Sequence, residues 1–316
     1  MDALKQFPLS PKELQDFDTN GYIGPFTLYP PEEMKNIHKK VRAALLNREF
    51  APYDAPIDSA IANYDRHLDV SFLSQHVCQA AIVDRLRGIL GDDILCWRSE
   101  FIPKPPGAEG TDWHQADTFE HASGAPQLVW PKEEGGGAGG TINVWTAFTE
   151  ATEANGCLMF VPGTHKQMHY DESKGLKWDP EKNHNVVKDN VPRGFNGYDY
   201  RDLQKDPHWK PDESRAVNMV MKPGEFIVFR STLLHASKPN STKDIPRLGY
   251  VARYVPGRVK VYPDTDTVKE FGSEISLEKY GTVVVSGRNH HPTNRVREVN
   301  LRGERFARRE GQGVAA

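Results

Sequence analysis

The residues best suited to chemistry in this chain stand in the run Thr111-Asp112-Trp113-His114-Gln115-Ala116-Asp117. His114 and Ala116 are two apart, so on a strand both point to the same side. A histidine and a carboxylate at that spacing supply two of the three protein ligands of a mononuclear iron(II) site, and a distant histidine supplies the third. Here Ala116 stands where the carboxylate belongs. A second candidate ligand, His235, lies in Ser231-Thr232-Leu233-Leu234-His235-Ala236-Ser237, and Arg247 follows 12 residues later. Two imidazoles without a carboxylate leave one coordination position open and one negative charge missing. A buried guanidinium at Arg247 would grip the distal carboxylate of 2-oxoglutarate in a two-point fork. A lone histidine is usually a surface or core residue, and the chain has 12. The metal reading rests on Trp113, His114, the His-Ala-Ser run, Asn240 and Arg247 together. Asp117 is the rival ligand, since it would give a His-x-x-Asp site. On a regular strand it faces away from His114, and only a bulge would turn it back.

These residues need strands to bring them together, and the texture of the chain provides them after residue 91. Before that point it reads as helical, over about 1–91. Ser10-Pro11-Lys12-Glu13 is a capping box with proline at the first helical position. Pro31-Glu32-Glu33-Met34 opens a second helix with Met34, Ile37, Val41 and Leu45 on one face. A third is expected over 79–90, with Ile82, Leu86 and Leu90 in line and Gly91 as its stop. A β core follows over about 92–260, with strands expected at 94–101, 141–148, 157–161, 216–221, 226–229 and 247–255. Short strands at modest spacing predict a sandwich or barrel. Residues 164–215 are polar and proline-rich and read as an insertion over one face. A C-terminal extension covers about 286–316, and its basic end from Arg302 is expected to be loose surface. The whole chain, 1–316, reads as one domain. Residues 135–140 satisfy G-x-G-x-x-G, but a period-two strand follows where a dinucleotide site needs a helix, so a hairpin loop is the better reading.

Bulk properties exclude several classes. Hydrophobic residues make up 38% and charged residues 26%, which is globular rather than disordered composition. A net charge of −3 gives no reason to expect nucleic acid or an anionic membrane. Cys78, Cys96 and Cys157 are odd in number and scattered, so they read as reduced core thiols of a cytoplasmic protein. No basic segment with a following apolar run marks a secretory signal, and no apolar stretch is long enough to span a membrane.

The residues also carry a resemblance. From Asn20-Gly21-Tyr22 through Trp113-His114-Gln115 and Pro223-Gly224-Glu225-Phe226 to His235-Ala236-Ser237, the chain resembles the phytanoyl-CoA dioxygenase superfamily. Within it, Gly110-Thr111-Asp112-Trp113-His114-Gln115-Ala116-Asp117-Thr118-Phe119 is similar to the aliphatic halogenases of the syringomycin type. So are Ala62-Asn63-Tyr64-Asp65-Arg66-His67-Leu68, Arg193-Gly194-Phe195 with Gly197-Tyr198-Asp199-Tyr200-Arg201, and Ser276-Leu277-Glu278-Lys279-Tyr280-Gly281. The resemblance implies a double-stranded β-helix (a cupin-like jelly roll), mainly β with N-terminal helices. It implies iron(II), 2-oxoglutarate, chloride and O2 as cofactors and co-substrates. His114 and His235 would hold the metal. Thr111, Trp145 and Arg247 would line the 2-oxoglutarate site. Ala116, Phe119 and Ser231 would form the chloride pocket, with Arg253 nearby and His121 and Asn143 at the polar positions that support the halide. Glu100 and Ile102 would face the approaching substrate. The implied reaction is chlorination of an unactivated aliphatic carbon on an aminoacyl group tethered to a peptidyl carrier protein, in natural-product biosynthesis. No Asp-Ser-Leu phosphopantetheine site is present, so that carrier is expected in trans. A hydroxylase of the same superfamily, or a halogenase of a free small molecule, is the alternative.

Overall fold

The computed structural model describes residues 6–57, 59–131, 140–179, 187–188, 191–194 and 198–309. Residues 135–139 of the glycine run, and Phe195 and Gly197, lie outside the described residues. Two six-stranded sheets form the frame. The larger has the order β1 (Tyr22–Thr27), β10 (Glu225–Arg230), β5 (Ile142–Ala147), β12 (Arg247–Pro256), β2 (Ile94–Lys104), β16 (Val283–Ser286), and every neighbouring pair is antiparallel. The smaller runs β7 (Val187–Lys188), β8 (Val191–Gly194), β3 (Gly110–His114), β11 (His235–Ser237), β6 (Leu158–Phe160), β9 (Val217–Met219). Two short hairpin-like pairs stand outside them: β4 (Leu128–Val129) with β13 (Lys260–Val261), and β14 (Thr267–Glu270) with β15 (Ser273–Ser276). This is the jelly roll the sequence implied.

Period-two alternation assigns the faces of the large sheet. On β5, Ile142 and Val144 join one apolar cluster, while Trp145 and Ala147 join another. On β10, Phe226 and Val228 go with the first, and Ile227 and Phe229 with the second. The first cluster lies against the helices α2 (Pro31–Leu46), α3 (Ser71–His76) and α4 (Ala80–Leu90), through Met34, Val41, Leu73, Ile82, Val83 and Leu86. The second includes Leu158, Phe160 and Met219 of the small sheet, so it fills the space between the sheets. The outer face of the small sheet, with Trp113, Met159, Leu234 and Ala236, is covered by Tyr170, Tyr200 and Leu203 of the 164–215 segment.

The ends of α1 (Pro11–Asn20) follow their local chemistry. The Ser10 hydroxyl accepts from the Glu13 amide at 3.3 Å, and the Glu13 carboxylate accepts from the Ser10 amide at 2.7 Å. Gly21, at φ 82°, closes the helix in the left-handed region. Two expectations need correction. The first 91 residues are not all helical: Tyr22 to Thr27 form an edge strand on β10, because Gly21 ends the helix and aromatic and β-branched residues follow. The segment after Arg302 is not loose through residue 309. The Leu301 amide donates to Leu68 O at 2.6 Å, and Arg309 forms a two-oxygen fork on Asp84. A short helix, α5 (Glu120–Ser123), follows β3.

Candidate active site

The strands β3 and β11 pair antiparallel with His114 directly opposite His235. Their rings lie 3.9 Å apart between centroids, inclined by 48°. The Nδ1 of His114 lies 2.7 Å from the carbonyl of Asp112, and the Nδ1 of His235 lies 2.6 Å from that of Leu233. A carbonyl only accepts, so Nδ1 carries the proton in both rings and Nε2 carries the lone pair. Burial pushes the His114 pKa well below the ordinary value, with His235 as the next cause, and burial lowers His235 to about 4. Two neutral imidazoles, each anchored on a backbone carbonyl and set opposite each other across a ladder, form a donor set suited to a transition metal.

Ala116 is buried just past the end of β3, and its amide donates to Ser231 O at 3.0 Å. The chain leaves the strand after His114, and Asp117 does not join the two histidines in a metal-binding cluster. The Asp117 carboxylate accepts from the Gly140 amide instead. Burial and then the nearby Glu172 carboxylate raise its pKa to about 7. Among the described residues, no three His, Cys, Asp or Glu side chains form a cluster that could hold a metal ion.

The inner face of the large sheet supplies the other residues. Val251 marks that face. Arg247, Gly249 and Arg253 share its parity on β12, while Glu100, Ile102 and Lys104 stand opposite Val251, Gly249 and Arg247 on β2. Asn143 stands opposite Arg253, two residues before Trp145. Arg247 is buried with its guanidinium 5.4 Å from the Trp145 ring, and burial lowers its pKa to about 10. It donates to Ile102 O at 3.3 Å, while its Nε and the Trp145 Nε1 have no hydrogen-bond partner in the protein. Thr111, opposite Ser237, accepts from the Ser237 hydroxyl at 2.9 Å. Further along the face, Arg253 ion-pairs with Glu100 and lies 5.7 Å from the Phe119 ring. The Ser231 Oγ, Asn143 Oδ1 and Arg253 Nη1 are buried without protein partners. Buried polar atoms are normally satisfied, so these point to polar ligands in the space between the sheets. The unpaired Arg247 fits a carboxylate, and the two imidazoles fit a metal.

Of the residues singled out from sequence, His114 meets His235, Arg247 meets Trp145, and Arg253 meets Phe119, Asn143 and Glu100. Ala116 meets Ser231 through the backbone. The Glu100 carboxylate is engaged by Arg253, and the Ile102 side chain packs with the cluster that holds Trp145. His121 lies with its Nδ1 2.7 Å from Glu172 and its Nε2 3.0 Å from the Tyr200 hydroxyl. Sequence reasoning missed Glu172, Gly249 and the structural role of Gln115. Glu172 sits in the polar insertion, where no periodicity marks it. Gly249 gives way to Trp145: a Cβ there would collide with the indole. Gln115 follows His114, and its amide nitrogen donates to Thr164 O, Gln167 O and Thr232 O.

A jelly roll with paired histidines on the small sheet and a buried arginine on the large one defines the iron- and 2-oxoglutarate-dependent oxygenase class. The sequence matches the family Phytanoyl-CoA dioxygenase (PhyH) over residues 17–249, and the chain belongs to it. Among solved structures it is similar to CytC3 with Fe(II) and alpha-ketoglutarate, that is, 2-oxoglutarate. Identity is 41% and the TM-score 0.76, covering 97% of this chain and 99% of that one. The ectoine dioxygenase of Streptomyces coelicolor is 28% identical over 50% of this chain and 52% of its own length. That of Sphingopyxis alaskensis is 23% identical over 74% and 72%. The match thus spans about half the length of the Streptomyces coelicolor enzyme. Among the described residues, no helix is long and apolar enough to cross a membrane.

Proposed function

We propose that this chain is an iron(II)- and 2-oxoglutarate-dependent halogenase that chlorinates an unactivated aliphatic carbon. Its substrate is an aminoacyl group delivered by a peptidyl carrier protein in trans. The observation that carries the reading is Ala116 in the ligand position, with no third His, Cys, Asp or Glu beside the paired histidines among the described residues. Likeness to CytC3 with Fe(II) and alpha-ketoglutarate over nearly the whole chain supports the metal and the co-substrate.

In this reading His114 and His235 hold iron(II) through Nε2, with their rings fixed by the Asp112 and Leu233 carbonyls. Arg247 binds the distal carboxylate of 2-oxoglutarate, while Trp145 and Thr111 complete its wall. Ala116 leaves room and one unit of negative charge for chloride, and Phe119 and Ser231 close around it. Arg253, His121 and Asn143 keep the halide side polar, and Glu100 orients Arg253. With O2, the loaded iron supplies the oxidising power to remove hydrogen from a C–H bond. The protein holds the substrate carbon so that the halide is the nearer group for transfer, a matter of ångström-scale placement.

The test is the product mass from carrier-loaded amino acids incubated with iron(II), 2-oxoglutarate and O2, with and without chloride. The halogenase reading requires a product with the chlorine isotope pattern that disappears without chloride. A second reading, a hydroxylase, draws on the likeness to ectoine dioxygenases. It requires an added oxygen whatever the chloride concentration.

A further inference from the structure

Glu172 is a buried carboxylate in the insertion, and its side chain bonds both the turn that follows Ala116 and His121 of α5. Its Oε2 accepts from the Asp117 amide at 3.1 Å, the Thr118 amide at 2.8 Å and the Thr118 hydroxyl at 3.0 Å. Its Oε1 accepts from the Phe119 amide at 3.1 Å and lies 2.7 Å from His121 Nδ1. Three consecutive amides gathered on one anion fix the backbone of the turn. The turn needs fixing, because Phe119 stands at φ 60°, a region that side chains other than glycine rarely adopt. From there the Phe119 ring meets the edge of Trp97 at 5.1 Å and lies under Arg253. On the far side, His121 Nε2 lies 3.0 Å from the Tyr200 hydroxyl, and the Tyr200 ring packs 4.9 Å from His114. One carboxylate outside the jelly-roll frame therefore braces both the Ala116–Phe119 wall and, through His121 and Tyr200, one metal histidine.

We propose that Glu172 is a positioning residue for the halide. It holds the turn so that Ala116 and Phe119 keep a halide-sized space beside the metal. This rests on the halogenase reading. A role confined to folding would lower stability without separating chloride from 2-oxoglutarate. A positioning role weakens chloride selectively, because Glu172 bonds the backbone of residues 117–119 beside Ala116 and makes no bond to Arg247, Trp145 or Thr111.

The experiment uses the full chain without oxygen, loaded with iron(II). 2-Oxoglutarate and then chloride are titrated by calorimetry, for the natural chain and for Glu172→Gln, which keeps the shape, removes the charge and replaces one accepting oxygen with a donating NH2. The expected result is a chloride Kd raised about tenfold with a 2-oxoglutarate Kd changed less than about twofold, as the turn loses roughly one charge-assisted hydrogen bond that holds it. Should Glu172→Gln fail to fold, Thr118→Val removes one of the five contacts and is expected to raise the chloride Kd about threefold. An unchanged chloride Kd in the folded variant overturns the positioning role and leaves the halogenase reading standing. No chloride binding by the natural chain overturns both.

Discussion

At residue 116 the difference between a methyl and a carboxylate is one negative charge and one coordination position. Ala116→Asp restores both, so the variant is expected to keep iron(II) and 2-oxoglutarate and to lose chlorination. Hydroxylation need not replace it, because the pocket would remain shaped for the halide complex. Product mass with carrier-loaded substrate checks this, and chlorinated product from the variant would refute it. The two histidines are equally exposed to test. If His114 and His235 are the two protein ligands proposed, removing either one halves the set, so His114→Ala and His235→Ala are expected to lose iron(II) on desalting while staying folded. Arg247→Gln leaves a carboxylate uncompensated in a buried pocket, and 2-oxoglutarate should weaken by about 3–5 kcal/mol. An unchanged titration would remove Arg247 from the site. Most of these residues were legible in the sequence because the motif His114-x-Ala116 is local and the His-Ala-Ser and Arg247 runs are distinctive. Glu172 was not legible. Its partners are 51–55 residues away, and no spacing rule connects a turn to a carboxylate in an insertion.

At the scale of elements, the strands that carry the site are clamped from outside. The Gln115 side chain donates to three carbonyls, and its oxygen accepts from the His169 amide at 2.8 Å. Gln115→Leu would leave those buried groups without partners, at a cost of about 1–3 kcal/mol for each one that water cannot reach. Denaturant unfolding should therefore show a loss on the order of 3 kcal/mol, and a change below 1 kcal/mol would contradict the clamp. Gly249→Ala tests the inner face. The indole of Trp145 fills the space of the missing Cβ, so the variant is expected to lose about 1–3 kcal/mol of stability by overpacking. Its 2-oxoglutarate affinity should fall with it as the ring is displaced. Alternation made β5 readable from sequence, and β10 was readable as the apolar run Phe226-Ile227-Val228-Phe229 after the turn Pro223-Gly224. β1 was hidden among helical segments, since its pairing with β10 depends on distant residues, Tyr22 standing opposite Phe229 and Thr27 opposite Glu225.

Across the whole molecule, the C-terminal segment stitches the helical layer to the frame. Leu301 and Phe306 pack on the core, Arg302 donates to Asp69 O at 2.6 Å, and Arg309 pairs with Asp84 of α4. Deleting residues 301–316 should lower stability by on the order of 3 kcal/mol, from two half-buried apolar side chains and the lost polar contacts. Composition had marked the segment as loose because it is basic and polar. Its order comes from long-range partners that composition does not reveal. The same frame packs the histidine sheet against the arginine sheet, and on the proposed reading the group bound between them decides the reaction. The most direct test of the account is therefore the position of a halide. Crystals grown without oxygen, with iron(II), 2-oxoglutarate and bromide, should give an anomalous bromide peak bound to the iron on the Ala116 side, between Phe119 and Ser231. A water or the Asp117 carboxylate at that position, with no bromide peak, would contradict it.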